Sequence, residues 1–180
     1  MVLRWHPGRR LDWFHLASGL GPVDATTFLE TMPFFQGLPA ADRARILKRF
    51  QVEDHAAGEV IFQQGDAADR LYLLASGRVE IRFKPDDGEP LTVSVIESGG
   101  IFGWSAALGR RSYTSGAFCT EAGRSLSIRG LDLRRIYEEH PATGVILLES
   151  LAEVIALRLT STHAHVLELL RQGVSPLAGG

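Results

Sequence analysis

The hydrophobic residues of this chain follow a helical period towards both ends and a strand-like period in the middle. Before residue 51, one helix is predicted from Asp24 to about Met32, closed by Pro33, and a second is predicted to open at Pro39. The apolar side that the second helix is expected to bury consists of Ala44, Ile46, Leu47 and Phe50.

From Gln51 onward, short runs rich in β-branched and aromatic residues are separated by glycine-containing turns at intervals of about ten residues. This spacing is typical of an antiparallel barrel or jelly roll and not of alternating strands and helices. The chain is therefore predicted to be mainly β with flanking helices, in a double-stranded β-helix (jelly-roll) barrel. The predicted strands are Val60–Phe62, Leu71–Leu74, Val79–Phe83, Leu91–Ile96, Ala117–Thr120 and Ser125–Ile128.

Two helices are predicted after Gly130: a short one that ends at His140 and a long one from about Ala142 to Gln172. The short helix is expected to bury Leu131, Leu133, Ile136 and Tyr137. Apolar residues on the long helix alternate spacings of four and three, which is typical of a seam between two helices. This pattern favours a homodimer through residues 148–169 over burial of the helix on its own barrel. The seam positions are Leu148, Ala152, Ile155, Leu159, Thr162, Val166 and Leu169.

These elements divide the chain into an N-terminal leader (1–22), a barrel with N-terminal helices (23–141), the long helix (142–172) and a tail (173–180) that is expected to be disordered. The leader carries Trp5 and Trp13 but only a few arginines, so packing on the domain or on a partner chain is favoured over docking on a membrane surface. Polar residues interrupt its apolar stretch, which makes it a poor signal peptide.

Composition narrows the class of protein. The net charge of −2 argues against a dedicated nucleic-acid binder, which needs a strongly basic face. The single cysteine, Cys119, cannot form an intramolecular disulfide and fits a reducing compartment. No apolar run approaches the roughly 18 residues that span a bilayer. We therefore expect a cytoplasmic location and no association with a membrane.

The most chemically informative segment is the cassette, defined as residues 102–115. A glycine followed by small residues would let backbone N–H groups at a helix N-terminus approach a phosphate, and two arginines and three aliphatic hydroxyls follow. The candidate ligand-binding residues are Phe102, Gly103, Trp104, Ser105, Ala106, Arg110, Arg111, Ser112, Tyr113 and Thr114.

Other chemistry has little support in the sequence. A metal enzyme of the cupin type needs several histidines on neighbouring strands, and of the six histidines only His55 lies near a predicted strand. No Gly-x-Ser-x-Gly nucleophile elbow is present. No catalytic residue, metal ligand or cofactor is therefore predicted, and the chain is not expected to be an enzyme.

Three motifs, together with the order of elements, resemble the cyclic nucleotide-binding domain family. They are Gly58–Asp66, Tyr72–Val79 and Gly99–Gly103, and the resemblance extends over roughly residues 30–172. It implies a non-catalytic regulatory module that binds cyclic AMP, cyclic GMP or a related phosphate ligand at the cassette. Many relatives carry a helix-turn-helix domain after the long helix. The few residues after Gln172 cannot form one, so direct DNA binding is not expected.

The cassette departs from the side chains that the family resemblance implies. Trp104 stands where ligand-binding relatives place a glutamate for the ribose, and either Ser112 or Tyr113 stands where they place an arginine for the phosphate. Losing that charge-assisted contact would cost about 1.5–3 kcal/mol. The backbone amides of residues 105–107 could still contact a phosphate, and Thr114 plausibly keeps the hydroxyl position that follows the arginine.

Two functions stay open on this basis. In the first, an anion at the amides of residues 103–107 orders the cassette and shifts the helix that begins near Ala142, with Arg110 or Arg111 replacing the missing arginine. In the second, the fold has lost its ligand, Trp104 fills the pocket, and the domain acts through protein contacts. A cupin-like enzyme is a third reading, disfavoured by the missing histidines.

Overall fold

The fold is taken from a computed structural model that describes residues 32–35 and 37–173, with side chains up to residue 159. The leader, most of the helix predicted at Asp24 and residues 174–180 lie outside the described residues. In chain order the elements are a 3-10 helix (Pro33–Phe35), α1 (Ala40–Leu47), β1 (Gln51–His55), β2 (Val60–Phe62), β3 (Arg70–Phe83), β4 (Leu91–Ile96), β5 (Ile101–Phe102), β6 (Gly116–Arg129), α2 (Gly130–Glu139) and α3 (Pro141–Gly173).

The strands form one antiparallel sheet in the order β1-β6-β3-β4, with β2 added to β6 and β5 added to β3. The two longest strands, β3 and β6, pair with each other at the centre, from the Arg70–Arg129 pair to the Arg82–Gly116 pair. The helices follow at the two ends of the chain. The predicted fold class, a mainly β jelly roll with flanking helices, is confirmed.

The sequence wrongly split each central strand into two. The turn expected at Ser76 and Gly77 is instead a bulge inside β3, where the pairing register with β6 shifts. Gly77 adopts a positive φ of 86° there, which bends the strand without ending it. On the opposite strand, Gly123 gives β6 the close approach that keeps the pairing continuous. Glycine therefore marks a bend in these strands and not their ends.

Alternation along β3 separates two hydrophobic cores. Leu71 and Leu73 point to a larger core shared with the helices, whereas Tyr72 and Leu74 point to the barrel interior. The larger core also contains Phe35, Leu126, Ile128, Leu133, Ile136, Leu147 and Leu151. The barrel core contains Phe62, Val79, Ile96, Phe102, Tyr113 and Ala117.

The described helices lie where the sequence predicted them, but two residues that were expected to be buried are exposed. Ile46 of α1 and both Leu133 and Ile136 of α2 are buried as predicted, but Ala44 and Leu131 are exposed. Both exposed residues lie on the side of their short helix that faces away from the sheet, because each helix contacts the core through one narrow stripe.

Candidate functional site

The cassette begins where β5 ends against the middle of the sheet. Phe102 pairs with Tyr72 of β3, and Gly103 then turns the chain with a φ of 73°. A Cβ atom at this position would lie 2.7 Å from the carbonyl oxygen of Arg70. Gly103 is therefore required both by its backbone conformation and by the space available.

The small residues after Gly103 form successive turns, whereas the sequence predicted a helix N-terminus. The Leu108 amide donates to the Trp104 carbonyl at 3.0 Å, and the Arg110 amide donates to the Ser105 carbonyl at 2.9 Å. Gly109, with a φ of 68°, ends the run before a regular helix develops. Within the described part of the chain, the amides of Trp104 and Ser105 donate to no backbone carbonyl.

A small pocket lies between the cassette, the barrel and α3. Six of the predicted site residues line it: Phe102, Gly103, Trp104, Ser105, Tyr113 and Thr114. Four further lining residues were not among the predicted ones: Ser115, which belongs to the cassette itself, and Phe62, Ile81 and Arg158, which no local sequence signal would bring to the cassette. The free volume of the pocket is only about 40 Å³.

The other four predicted residues lie outside the pocket lining. Ala106 is buried, whereas Arg110, Arg111 and Ser112 are exposed. The segment that carries the exposed three is tied by its backbone to the loop after β2, through the amide of Ala68 donating to the Arg111 carbonyl at 3.1 Å and a bridge between residues 67 and 112.

Stacked aromatic rings fill the space beside the cassette. The Tyr113 ring lies 3.7 Å from the ring of Phe62, and Phe102 stacks on Tyr72 at 4.9 Å, as measured between ring centroids. The Tyr113 hydroxyl donates to the carbonyl of Arg70 at 2.8 Å and accepts from the amide of that residue at 2.9 Å. Burial raises the pKa of both tyrosines, so each stays neutral.

Trp104 connects the cassette to the long helix. The guanidinium of Arg158 lies 4.3 Å from the centre of the Trp104 ring, a cation–π contact, and donates to the carbonyl of Ile101 at 2.6 Å. Burial lowers the pKa of Arg158 to about 10, which leaves it charged at neutral pH. The indole also packs on the larger core. Trp104 thus joins the cassette to α3.

A second polar constellation, not found from the sequence, joins β1 to β6. The His55 ring contacts Glu59 Oε1 at 3.1 Å through Nδ1 and Ser125 Oγ at 2.8 Å through Nε2. This order of side chains is that of a catalytic triad, brought together from distant positions by strand pairing. However, Ser125 is fully buried, so a substrate cannot reach its hydroxyl. The group serves to fasten the two strands.

Metal and membrane chemistry find no support in the described part of the chain. No group of three or more His, Cys, Asp and Glu side chains there is arranged to hold a metal ion. No described helix combines the length and the apolar character needed to cross a membrane.

Comparison with known proteins agrees with the fold. The family model of the cyclic nucleotide-binding domain matches residues 52–140. A solved protein of Geobacter metallireducens, assigned to cyclic nucleotide binding, is 30% identical with a TM-score of 0.67, covering 74% of this chain and 97% of that one. The catabolite activator protein of Thermus thermophilus is 27% identical with a TM-score of 0.63, covering 80% of this chain and 73% of that one.

One curated relative extends well beyond the matched region. The CRP-like cAMP-activated global transcriptional regulator of Mycobacterium tuberculosis is 28% identical over 136 residues, which is 76% of this chain and 59% of the regulator. This chain thus spans about three-fifths of the length of that relative.

The jelly roll, the cassette after β5 and the long helix in contact with it define a regulatory domain of the double-stranded β-helix class. Given the 30% identity to a solved structure that the chain covers almost completely, this chain belongs to the cyclic nucleotide-binding domain family. The resemblance drawn from its motifs is confirmed.

Proposed function

We propose that this chain is a non-catalytic regulatory module whose cyclic-nucleotide pocket is closed by its own side chains. The observation that carries the proposal is the free volume of about 40 Å³ beside the cassette, against roughly 300–1,000 Å³ for pockets that hold small molecules. The module would act through protein contacts, in the cytoplasm, and would bind neither cyclic AMP nor cyclic GMP in the arrangement described.

The residues that close the pocket are those that depart from the family pattern. Tyr113, at one of the two candidate arginine positions, is held by two hydrogen bonds to the Arg70 backbone and by stacking on Phe62. Trp104, at the glutamate position, is held by Arg158 and the larger core. An aromatic ring offers no charge to a phosphate or acceptor to a ribose, and both rings are anchored in place.

The contacts of the cassette support a regulatory output through the C-terminal helices. The Ala106 backbone lies against the start of α2, where a Cβ on Gly130 would come 2.5 Å from the Ala106 carbonyl oxygen. Arg158 of α3 donates to Ile101, directly before the cassette. A change in the cassette would therefore reach both helices through direct contacts.

Titration tests the closed pocket. In thermal unfolding with cyclic AMP or cyclic GMP, we expect no rise in Tm for the wild type. The double variant Trp104→Glu, Tyr113→Arg restores both expected polar groups and should show a cyclic-nucleotide-dependent rise. A ligand at 100 times its Kd stabilises a folded protein by about 2.7 kcal/mol. Linear AMP provides the control ligand.

Two outcomes would contradict the proposal. Stabilisation of the wild type by millimolar cyclic nucleotide would show that the aromatic rings do not close the site. A folded double variant, checked by circular dichroism, that ignores the nucleotides would show that these two side chains are not what prevents binding.

A second function, a sensor for a cyclic nucleotide or related phosphate ligand at residues 102–115, is favoured by one observation. The amides of Trp104 and Ser105 donate to no backbone carbonyl within the described residues, which leaves two donors at the pocket for an anion. Arg110 and Arg111 would then have to turn inward from exposed positions. The wild-type arm of the same titration decides between the two functions.

We further propose that the module is a homodimer through α3. The inner side of this helix buries Leu147 and Leu151, while the seam residues Leu148 and Leu159 are exposed and Ile155 is half-buried. Of the predicted seam, the side chains beyond residue 159 lie outside those described. An apolar stripe that a helix leaves uncovered is the surface a second copy would bury.

The dimer is tested by Leu159→Asp, which places a carboxylate in the seam and should give a monomer in light scattering. Leu157→Asp is the matched control because Leu157 is equally exposed on the same helix but lies outside the seam. It should keep the wild-type mass. A monomeric wild type, or a Leu159→Asp protein of unchanged mass, would refute the seam.

A further inference from the structure

A second and larger pocket lies at the opposite end of β3 from its hairpin with β4, and it shares no lining residue with the pocket beside the cassette. It has a volume of about 270 Å³ and is lined by Lys48, Arg49, Gln51, Arg70, Arg129 and Asp132. Two of these residues follow directly after α1, three stand at the starts of β1, β3 and α2, and one is the last residue of β6. Five separate elements thus converge on a mainly cationic concavity.

The charges around this basic pocket are not balanced. The Asp132 carboxylate forms ion pairs with three guanidiniums. The nitrogen–oxygen distances are 2.7 Å to Arg129 and 3.8 Å to both Arg49 and Arg135. Arg129 donates a hydrogen bond that lowers the pKa of the Asp132 carboxyl, so its negative charge is present at neutral pH. Among the described residues, two other carboxylates pair with arginines of the pocket: Glu53 with Arg70 and Glu139 with Arg49. Since Lys48 adds a further cation, positive charge is in excess.

The strand register brings two of these cations together. Arg70 and Arg129 stand directly opposite each other in the β3–β6 pair. Like charges in directly opposed positions destabilise a sheet unless a counter-charge lies between them. The Arg70 guanidinium is turned towards Ser127 and Glu53, and that of Arg129 towards Asp132. Each guanidinium thus has a carboxylate partner, and both arginines line the same cavity, where a bound anion would meet them together.

We infer that the basic pocket binds a small phosphate-bearing molecule, at a site separate from the cassette. Guanidinium groups match the geometry of phosphate oxygens through paired hydrogen bonds, and three arginines and Lys48 line this cavity. Its volume suits a compact ligand, since it lies just below the usual range for small-molecule pockets. A concave site of this size favours a free small molecule over an extended acidic segment of a protein.

The test uses inorganic pyrophosphate as the probe and the only two lysines of the chain as a matched pair. Among the described residues no carboxylate pairs with Lys48, and its side chain is exposed, so Lys48→Met should fold normally. Lys84 is also exposed, in the β3–β4 hairpin, and Lys84→Met is the control. Calorimetric titration at low salt should show pyrophosphate binding weakened about ten-fold in Lys48→Met, a loss of about 1.4 kcal/mol, and unchanged in Lys84→Met.

A second measurement locates the site directly. Pyrophosphate should protect Lys48 and not Lys84 from an amine-reactive reagent, as read by mass spectrometry of the peptides. Arg129→Gln should weaken binding as well, while Trp104→Glu should leave it unchanged, which separates this site from the cassette. If no binding is detected with pyrophosphate at 10 times a millimolar protein concentration, the inference is overturned. Equal affinity of the wild type for succinate, or equal effects of the two lysine variants, would also overturn it.

Discussion

Gly123→Ala is expected to lower the free energy of unfolding by about 4 kcal/mol or more, the largest effect of any single methyl group considered for this chain. A Cβ atom at position 123 would lie 2.0 Å from the carbonyl oxygen of Ser76 and 2.7 Å from the Cα atom of Gly77. Both are backbone atoms of the paired strand, so no side-chain rotation can make room. The two central strands would have to separate at the bulge. Urea denaturation of the purified variant measures the change.

The control variant, Gly58→Ala, introduces backbone strain without the steric clash that Gly123→Ala causes. Gly58 has a φ of 88°, but an added Cβ would meet nothing within 4 Å. Gly58→Ala should therefore cost only about 1–2 kcal/mol, the price of a left-handed conformation in a non-glycine residue. If Gly123→Ala were no more destabilising than Gly58→Ala, the result would contradict the close backbone contact between β3 and β6 at Gly123.

Gly77 and Gly123 show why the sequence predicted the fold correctly but not the lengths of its central strands. The continuous apolar run at positions 71–74 correctly indicated a strand, and the turn residues between strands indicated an antiparallel barrel. A glycine beside a serine has the same local signature whether it makes a turn or a bulge. Only the pairing partner, Gly123 on a strand nearly 50 residues away, distinguishes the two.

For the site, the sequence predicted most of the cassette residues that line the pocket. It missed the lining residues that lie far from the cassette along the chain. Phe102, Gly103 and Trp104 line it because they follow directly from β5. Phe62 and Arg158 arrive by strand pairing and by the path of α3, which local spacing does not encode. The charge of Arg110 and Arg111 suggested a ligand role, but their segment pairs with the loop after β2 and leaves both side chains exposed.

Phe102→Ala is expected to lower the free energy of unfolding by about 3–5 kcal/mol. The ring is fully buried and stacks between Tyr72 and Phe62, with centroids 4.9 and 6.1 Å away. Its neighbours are held by the sheet on one side and by the hydrogen bonds of Tyr113 on the other, so the site cannot collapse to fill the cavity.

The phenylalanine at the end of β3 supplies the comparison for Phe102. Phe83 is 40% exposed, and Phe83→Ala should change the free energy of unfolding by less than about 1 kcal/mol. The two variants, measured together by urea denaturation, test whether the stack is a packed part of the barrel core. A loss below about 1.5 kcal/mol for Phe102→Ala would mean that the rings are loosely held. The pocket beside the cassette would then be able to open for a ligand, and the closed-pocket proposal would lose its main support.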